Sequence, residues 1–110
     1  MAIDWKDFEK VEIVVGTIIK VEDFPEVRKP AYKIWVDLGD GKVRQSSAQI
    51  TKLYRKEDLV GTQVLCVANL APKKIAGFVS EILVTGFILD KETVVLSKPE
   101  RNIPNGTKLA

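Results

Sequence analysis

The sequence predicts an all-β domain, a five-stranded barrel of the OB type with short helical segments at the N-terminus and between strands three and four. Three observations carry this. Apolar and polar residues alternate with a period of two through much of the chain, Gly and Pro clusters cut that pattern into short segments, and one stretch, 48–60, drops it for helical spacing. With 110 residues, of which 45% are hydrophobic and 29% charged, residues 1–110 form a single domain; two cores would each be too small. Parallel architectures need several long crossover helices, which the pattern lacks.

Asp4 is placed to cap a short helix with Asp7 at its third position, and Trp5 and Phe8, three apart, would share its buried face. From Val11 the period becomes two, with Val11, Ile13, Val15, Thr17, Ile19 and Val21 on one face of a first strand and Gly16 permitting a bend or bulge. Pro25 and Pro30 make the following segment a loop. Tyr32, Ile34, Val36 and Leu38 form the apolar face of a second strand, with Lys33, Trp35 and Asp37 opposite. Gly39-Asp40-Gly41 then turns the chain into a third strand over 42–47. Ile50, Leu53 and Tyr54 have helical spacing, and Gly61 can close that helix. Thr62 to Ala68 reads as a buried strand, 69–78 as a loop, and Ile82–Leu89 and Thr93–Ser97 as two further strands before a tail from Pro99 to Ala110.

Composition excludes much chemistry. The chain has no histidine, which removes imidazole bases, Ser-His and Cys-His nucleophile systems and His-containing metal sites. One cysteine, Cys66, cannot form an intrachain disulfide or a Cys-pair metal site. It suits a reducing compartment and, between Leu65 and Val67, a core position. Glu57 and Asp58 are adjacent and would diverge on a helix, and Gly39-Asp40-Gly41 lacks the Gly-Lys-Ser/Thr of a phosphate loop. The expectation is a protein with no catalytic residues, no metal and no cofactor. The charged start does not resemble a signal peptide, and no apolar run approaches the roughly 18 residues of a spanning helix. Cytoplasmic localisation without membrane insertion is expected.

Charge is segregated. Residues 1–26 carry a net −4, residues 27–74 a net +6, and residues 75–110 balance, so a chain of net +2 presents a basic middle suited to phosphates. Within it, Gln45-Ser46-Ser47-Ala48-Gln49 ends a strand with small and amide-bearing residues that offer hydrogen bonds and little apolar driving force. Such a run serves either a ligand or the local backbone. Lys33 and Arg44 flank the hairpin, while Lys73 and Lys74 lie in a loop that a barrel can bring beside it. Trp35 and Phe78 can stack on bases, contact apolar protein segments, or pack in the core.

Val11-Glu12-Ile13-Val14-Val15-Gly16-Thr17-Ile18, Asn69-Leu70-Ala71-Pro72-Lys73 and Gly77-Phe78-Val79-Ser80-Glu81 resemble the tRNA-binding domains appended to methionyl- and phenylalanyl-tRNA synthetases and to stand-alone relatives. Lys29-Pro30-Ala31-Tyr32-Lys33, Gln45 through Thr51, and Ile75 through Glu81 are similar, within that family, to the export-related chaperones of the CsaA group. The family commonly has Arg where Val14 stands and Gly-Met where Ile82-Leu83 stand, departures consistent with that group. The resemblance implies an OB fold, a homodimer built partly by N- and C-terminal extensions, and no catalysis. It further implies passive, ATP-independent binding of unfolded or pre-secretory polypeptides in protein secretion, with the export machinery as a further partner. The alternative is structure-specific tRNA binding on the same basic face. Candidate ligand-binding residues are Gln45, Ser46, Ser47 and Gln49 as hydrogen-bonding walls, Trp35 and Phe78 as apolar contacts, and Lys33, Arg44, Lys73 and Lys74 as a charged rim. The family motifs add Asn69 and Ser80.

Overall fold

The computed structural model describes residues 1–110. A helix α1 (Trp5–Glu9) precedes the strands β1 (Ile13–Asp23), β2 (Tyr32–Asp37) and β3 (Val43–Ala48); a single-turn α2 (Lys56–Leu59) leads into β4 (Gln63–Val67). Five short strands follow: β5 (Lys73–Ile75), β6 (Phe78–Ser80), β7 (Leu83–Val84), β8 (Gly86–Ile88) and β9 (Val94–Leu96). The main sheet is antiparallel with the order β3-β2-β1-β4-β7. Its free edge at β3 folds round to residues 79–82, which nearly closes the predicted barrel. There the Glu81 N–H donates to the Gln45 carbonyl at 2.8 Å, and the Ser47 N–H donates to Ser80 Oγ at 3.2 Å.

The interior holds Ile18, Tyr32, Ile34, Val36, Ile50, Leu59, Val64, Cys66 and Ile82, so β2 alternates in and out as predicted. Cys66 is fully buried, and burial pushes its thiol up to about 12, as expected of a core thiol. The hairpin at 39–41 also forms as predicted. Gly39, Asp40 and Gly41 all have positive φ, and the Leu38 N–H donates to the Lys42 carbonyl at 2.8 Å.

Several sequence expectations are corrected. The predicted face of β1 breaks at a bulge, where pairing jumps from Ile18–Val36 to Lys20–Trp35 and leaves Ile19 without a partner. Ile18, not Ile19, enters the core, and Ile19 is exposed. Gly16 serves close packing instead of the bend: a Cβ there would meet Val36 Cγ1 at 2.4 Å and Leu38 Cδ2 at 2.8 Å. The helix expected from Ile50, Leu53 and Tyr54 shrinks to the turn at 56–59, and Leu53 is exposed. Ile50 enters the core from irregular backbone, Leu59 enters it from that turn, and Tyr54 packs partly buried against it. The segment read as a loop at 69–78 contains half of the β5–β6 hairpin, turned by Ala76 and Gly77 at φ 47° and 83°. The strand expected over 82–89 breaks at Thr85 into β7 and β8.

The two termini behave differently. The Asp4 N–H donates to the Asp7 carboxylate at 3.3 Å, and the Trp5 and Phe8 rings lie 5.3 Å apart, but α1 buries no residue and Trp5 is 64% exposed. The expected buried face is therefore open in the isolated chain. The tail instead lies along the first half of β1, with Val15 N–H to Thr107 O at 3.0 Å, Gly106 N–H to Val15 O at 2.7 Å and Leu109 N–H to Ile13 O at 2.8 Å. No helix is long and apolar enough to cross a membrane.

Candidate functional site

Strand alternation assembles the site. Opposite β2's core residues, Lys33 and Trp35 point outward, and the register places Ser47 beside Lys33 and Gln45 beside Trp35. Across the barrel seam the β5–β6 hairpin brings in Phe78. Its ring lies 5.8 Å from Trp35 and 5.5 Å from Phe24, both in edge-on arrangements. Two ammonium groups cover this cluster: Lys20 Nζ is 4.6 Å from the Trp35 ring, and Lys33 Nζ is 5.0 Å from Phe24 and 5.4 Å from Phe78. The result is a half-buried aromatic platform with cations at its surface, which offers π-faces and positive charge together.

Gln45 locks the platform in place. Its Oε1 accepts the Trp35 indole N–H at 3.2 Å, and its Nε2 donates to the Val79 carbonyl at 2.7 Å. Its backbone N–H is bound in turn by the Glu81 carboxylate at 3.1 Å. Beside this runs a groove of about 430 Å³ lined by Ser47, Leu70, Lys73, Ile75, Ser80 and Leu83, among others. Leu70 and Leu83 are about half exposed at its rim. The lining is mostly apolar and also includes the Ser47 and Ser80 hydroxyls, the Lys73 ammonium and the Glu81 carboxylate.

Lys33, Trp35, Gln45, Ser47, Lys73, Phe78 and Ser80 are thus brought together. The remaining candidates are not. Ser46 is 1% exposed and faces the barrel interior, because residues 46 and 48 alternate inward. Arg44 pairs with Val36, shares that inward parity, and emerges at the barrel end, where its guanidinium donates to the Val43 carbonyl. Lys74 pairs with Val79 on the opposite side of its hairpin from Lys73. Asn69 is a strut: its Oδ1 accepts the Glu12 N–H at 2.9 Å and its Nδ2 donates to the Lys10 carbonyl at 2.6 Å. Gln49, beyond the end of β3, lines a separate cleft with Lys29 and Lys52. Ser80 has a structural share, since its hydroxyl accepts the Ser47 N–H that closes the barrel.

Three residues join the site that sequence reasoning passed over. Phe24 is 3% exposed although it sits beside Pro25 in a loop; a large aromatic in a stretch otherwise made of Glu22, Asp23, Pro25 and Glu26 was the available signal. Lys20 reaches Trp35 only because of the β1 bulge, which no periodicity reveals. Glu81 follows Ser80 in a motif, and its capping of the Gln45 N–H depends on barrel closure.

The family model "Putative tRNA binding domain" matches residues 13–108. The fold superposes on the chaperone CsaA from Bacillus anthracis strain Ames with a TM-score of 0.95 and 43% identity, covering 100% of both chains. The CsaA chaperone protein from Picrophilus torridus gives a TM-score of 0.90 and 43% identity, over 99% of this chain and 100% of that one. A methionine–tRNA ligase of Methanocaldococcus jannaschii is 37% identical over 107 residues, which are 97% of this chain but 16% of the ligase, so the chain spans about a sixth of that relative. The similarity therefore covers nearly the whole of this barrel and a small appended part of the ligase, and the chain belongs to the tRNA-binding domain family.

Proposed function

We propose that this chain is a non-catalytic binding protein of the CsaA type, holding unfolded or export-bound polypeptides without nucleotide hydrolysis. The observation that carries the reading is the apolar groove of about 430 Å³ beside the aromatic platform. Half-exposed Leu70 and Leu83 accept apolar side chains, the Ser47 and Ser80 hydroxyls lie within reach of peptide groups, and Lys73 and Glu81 offer both charges at the rim. Full-length similarity to two CsaA chaperones supports it. Binding of this kind acts by mass action, withdrawing unfolded chains from aggregation. It operates in the cytoplasm, and two copies meet through the apolar cluster of Ile3, Trp5, Phe8 and Ala110.

A second reading, tRNA binding, is favoured by the family and by Lys20 and Lys33 lying over the aromatic rings. Base stacking on Trp35 and Phe78 with phosphates on the lysines uses the same platform. Salt separates the two. Titration against bulk tRNA and against an unfolded export precursor, each at several salt concentrations, should give precursor binding that persists as salt rises. tRNA binding, where it occurs, should weaken with a log–log slope of roughly −0.7 to −0.9 per phosphate neutralised. Precursor binding that is absent at every salt concentration refutes the first reading. Sedimentation of the wild type against Trp5→Ser tests the pairing of copies: a monomer in both cases would remove it.

A further inference from the structure

We propose that the cleft between loop 24–31, the segment after β3 and the β8–β9 turn is a second nucleic-acid contact, which takes backbone phosphates of an RNA strand whose bases lie on the aromatic platform. The inference rests on the tRNA reading above. The cleft has a volume of about 400 Å³ and is lined by Lys29, Pro30, Gln49, Thr51, Lys52, Lys91 and Glu92, with no aliphatic or aromatic side chain among them beyond the Pro30 ring. Its three lysines come from segments far apart in sequence, so the fold gathers them, not a local charge run.

Charge in the cleft is only partly compensated. Lys10, Lys20 and Lys56 elsewhere each hold a carboxylate at 3.7, 3.1 and 2.9 Å respectively. In the cleft, Lys52 reaches Glu92 only at 4.0 Å, and neither Lys29 nor Lys91 has a carboxylate within ion-pair distance. Three ammonium groups against the Glu92 carboxylate in the lining, with the Asp90 carboxylate near enough to feel Lys52, leave a net positive charge in a concave site that concentrates the field on an anion. Thr51 and Gln49 supply neutral donors for phosphate oxygens. Lysine charge without planar, bidentate geometry suits phosphate as a diffuse anion and reads no sequence.

Position ties the cleft to the platform. Loop 24–31 places Phe24 in the aromatic cluster at one end and Lys29 and Pro30 in the cleft at the other. Ser47 lines the apolar groove, and Gln49, two residues on and so about 7 Å further along, lines the cleft. The RNA strand of the proposal runs extended from ring to lysine along these two shared segments. The lining offers three ammonium groups and, beyond the Pro30 ring, no aliphatic or aromatic side chain to anchor a peptide, which is why RNA is the occupant favoured.

The test uses the full chain and a Lys29→Gln/Lys91→Gln variant; both residues are exposed and unpaired, so folding should be unaffected. Inorganic pyrophosphate titrated into 15N-labelled wild type should shift the amides of Lys29, Gln49, Thr51 and Lys91, and those shifts should vanish in the variant. The salt slope of tRNA binding should become shallower by roughly 1.4 to 1.8, the share of two phosphate contacts. No pyrophosphate shifts in the cleft, or an unchanged slope in a protein that binds tRNA, overturns the proposal while leaving the tRNA reading intact. A wild type that binds no tRNA at all removes that reading and the RNA contact together, even where pyrophosphate still binds. Equal loss of precursor binding by the variant at all salt concentrations would reassign the cleft to polypeptide and overturn the proposal.

Discussion

Replacing Gln45 with alanine tests whether the binding face is held ready by its own hydrogen bonds. The amide joins the Trp35 indole, at 3.2 Å, to the Val79 carbonyl, at 2.7 Å, and so fastens β2 to the β5–β6 hairpin across the seam. A hydrogen bond contributes about 0.5–1.5 kcal/mol net, more when its partner is left dry. Val79 is exposed and its carbonyl recovers water in the variant, so that bond counts for about 0.5 kcal/mol. The indole N–H is half-buried beneath Lys20 and Phe78, and losing its acceptor costs about 1–1.5 kcal/mol. The expected destabilisation is about 1.5–2 kcal/mol, a Tm lowering of roughly 6–12 °C for a domain of this size. Urea unfolding followed by fluorescence in a Trp5→Phe background reports on Trp35 directly, since the chain has two tryptophans. A double-mutant cycle with Trp35→Phe, followed by far-UV circular dichroism because that variant lacks the Trp35 probe, isolates the indole bond. Precursor affinity should also fall, because a loosened hairpin must be ordered on binding. A coupling energy below about 0.3 kcal/mol together with unchanged affinity would refute the reasoning, and Gln45 would be a surface amide with no positioning role.

Three further outcomes are expected. Gly16→Ala forces a Cβ to within 2.4 Å of Val36 Cγ1 and should cost about 1–3 kcal/mol in urea unfolding; a neutral effect would mean that β1 and β2 separate freely. Cys66, fully buried with its thiol pushed up to about 12, should resist DTNB at pH 8 in the folded protein and react at once in guanidinium; rapid native labelling would contradict the packing of β4. The Asp90 carboxyl is held below its ordinary range by the Glu92 N–H at 2.9 Å, with Thr93 assisting at 3.0 Å. A depressed acid stabilises the fold above its unfolded value of about 3.9, and that contribution is lost as pH falls through the lower folded value. Acid unfolding curves of wild type and Asp90→Asn should therefore keep a constant separation above about pH 5 and approach each other below about pH 4; a separation that does not change with pH would remove the carboxylate's role.

Much of this was legible in the sequence where the physics is local. The β2 alternation, the 39–41 turn and the buried Cys66 follow from side-chain period, positive-φ residues and an apolar run, and the structure reproduces them. Lys33, Trp35, Gln45 and Ser47 fall on one face by the same alternation. Arg44 and Ser46 were misplaced by ignoring it: in a strand, neighbours in sequence point to opposite sides, so a continuous run such as Gln45–Gln49 cannot all line one wall. Ser80 depends on closure between β3 and residues 79–82, a contact across more than thirty residues that no local pattern encodes, and Asn69 on contacts with Lys10 and Glu12 at separations of 59 and 57 residues; Lys74, like Arg44, is turned away by strand alternation in its own hairpin. The open face of Trp5 and Phe8 is a different case. The helical spacing was right, but an amphipathic turn states that a partner exists without stating which surface supplies it.

The β1 bulge shows how a local irregularity makes the site. Up to Ile18 the strand runs in regular register with β2, sending Ile18 inward against Val36. A regular strand would next place Ile19 opposite Trp35 on the outer face and turn Lys20 inward opposite Ile34, where an ammonium would have to be buried among apolar residues at a cost of several kcal/mol. Leaving Ile19 unpaired shifts the count by one. Lys20 then stands opposite Trp35, 4.6 Å from its ring, Val21 packs against the core, and Glu22 lies opposite Lys33 on the outer face. The bulge therefore satisfies the core and charges the binding face at once. That explains why an apolar pair, Ile18-Ile19, sits where strict alternation would have called for one: the surplus residue sets the phase of everything after it.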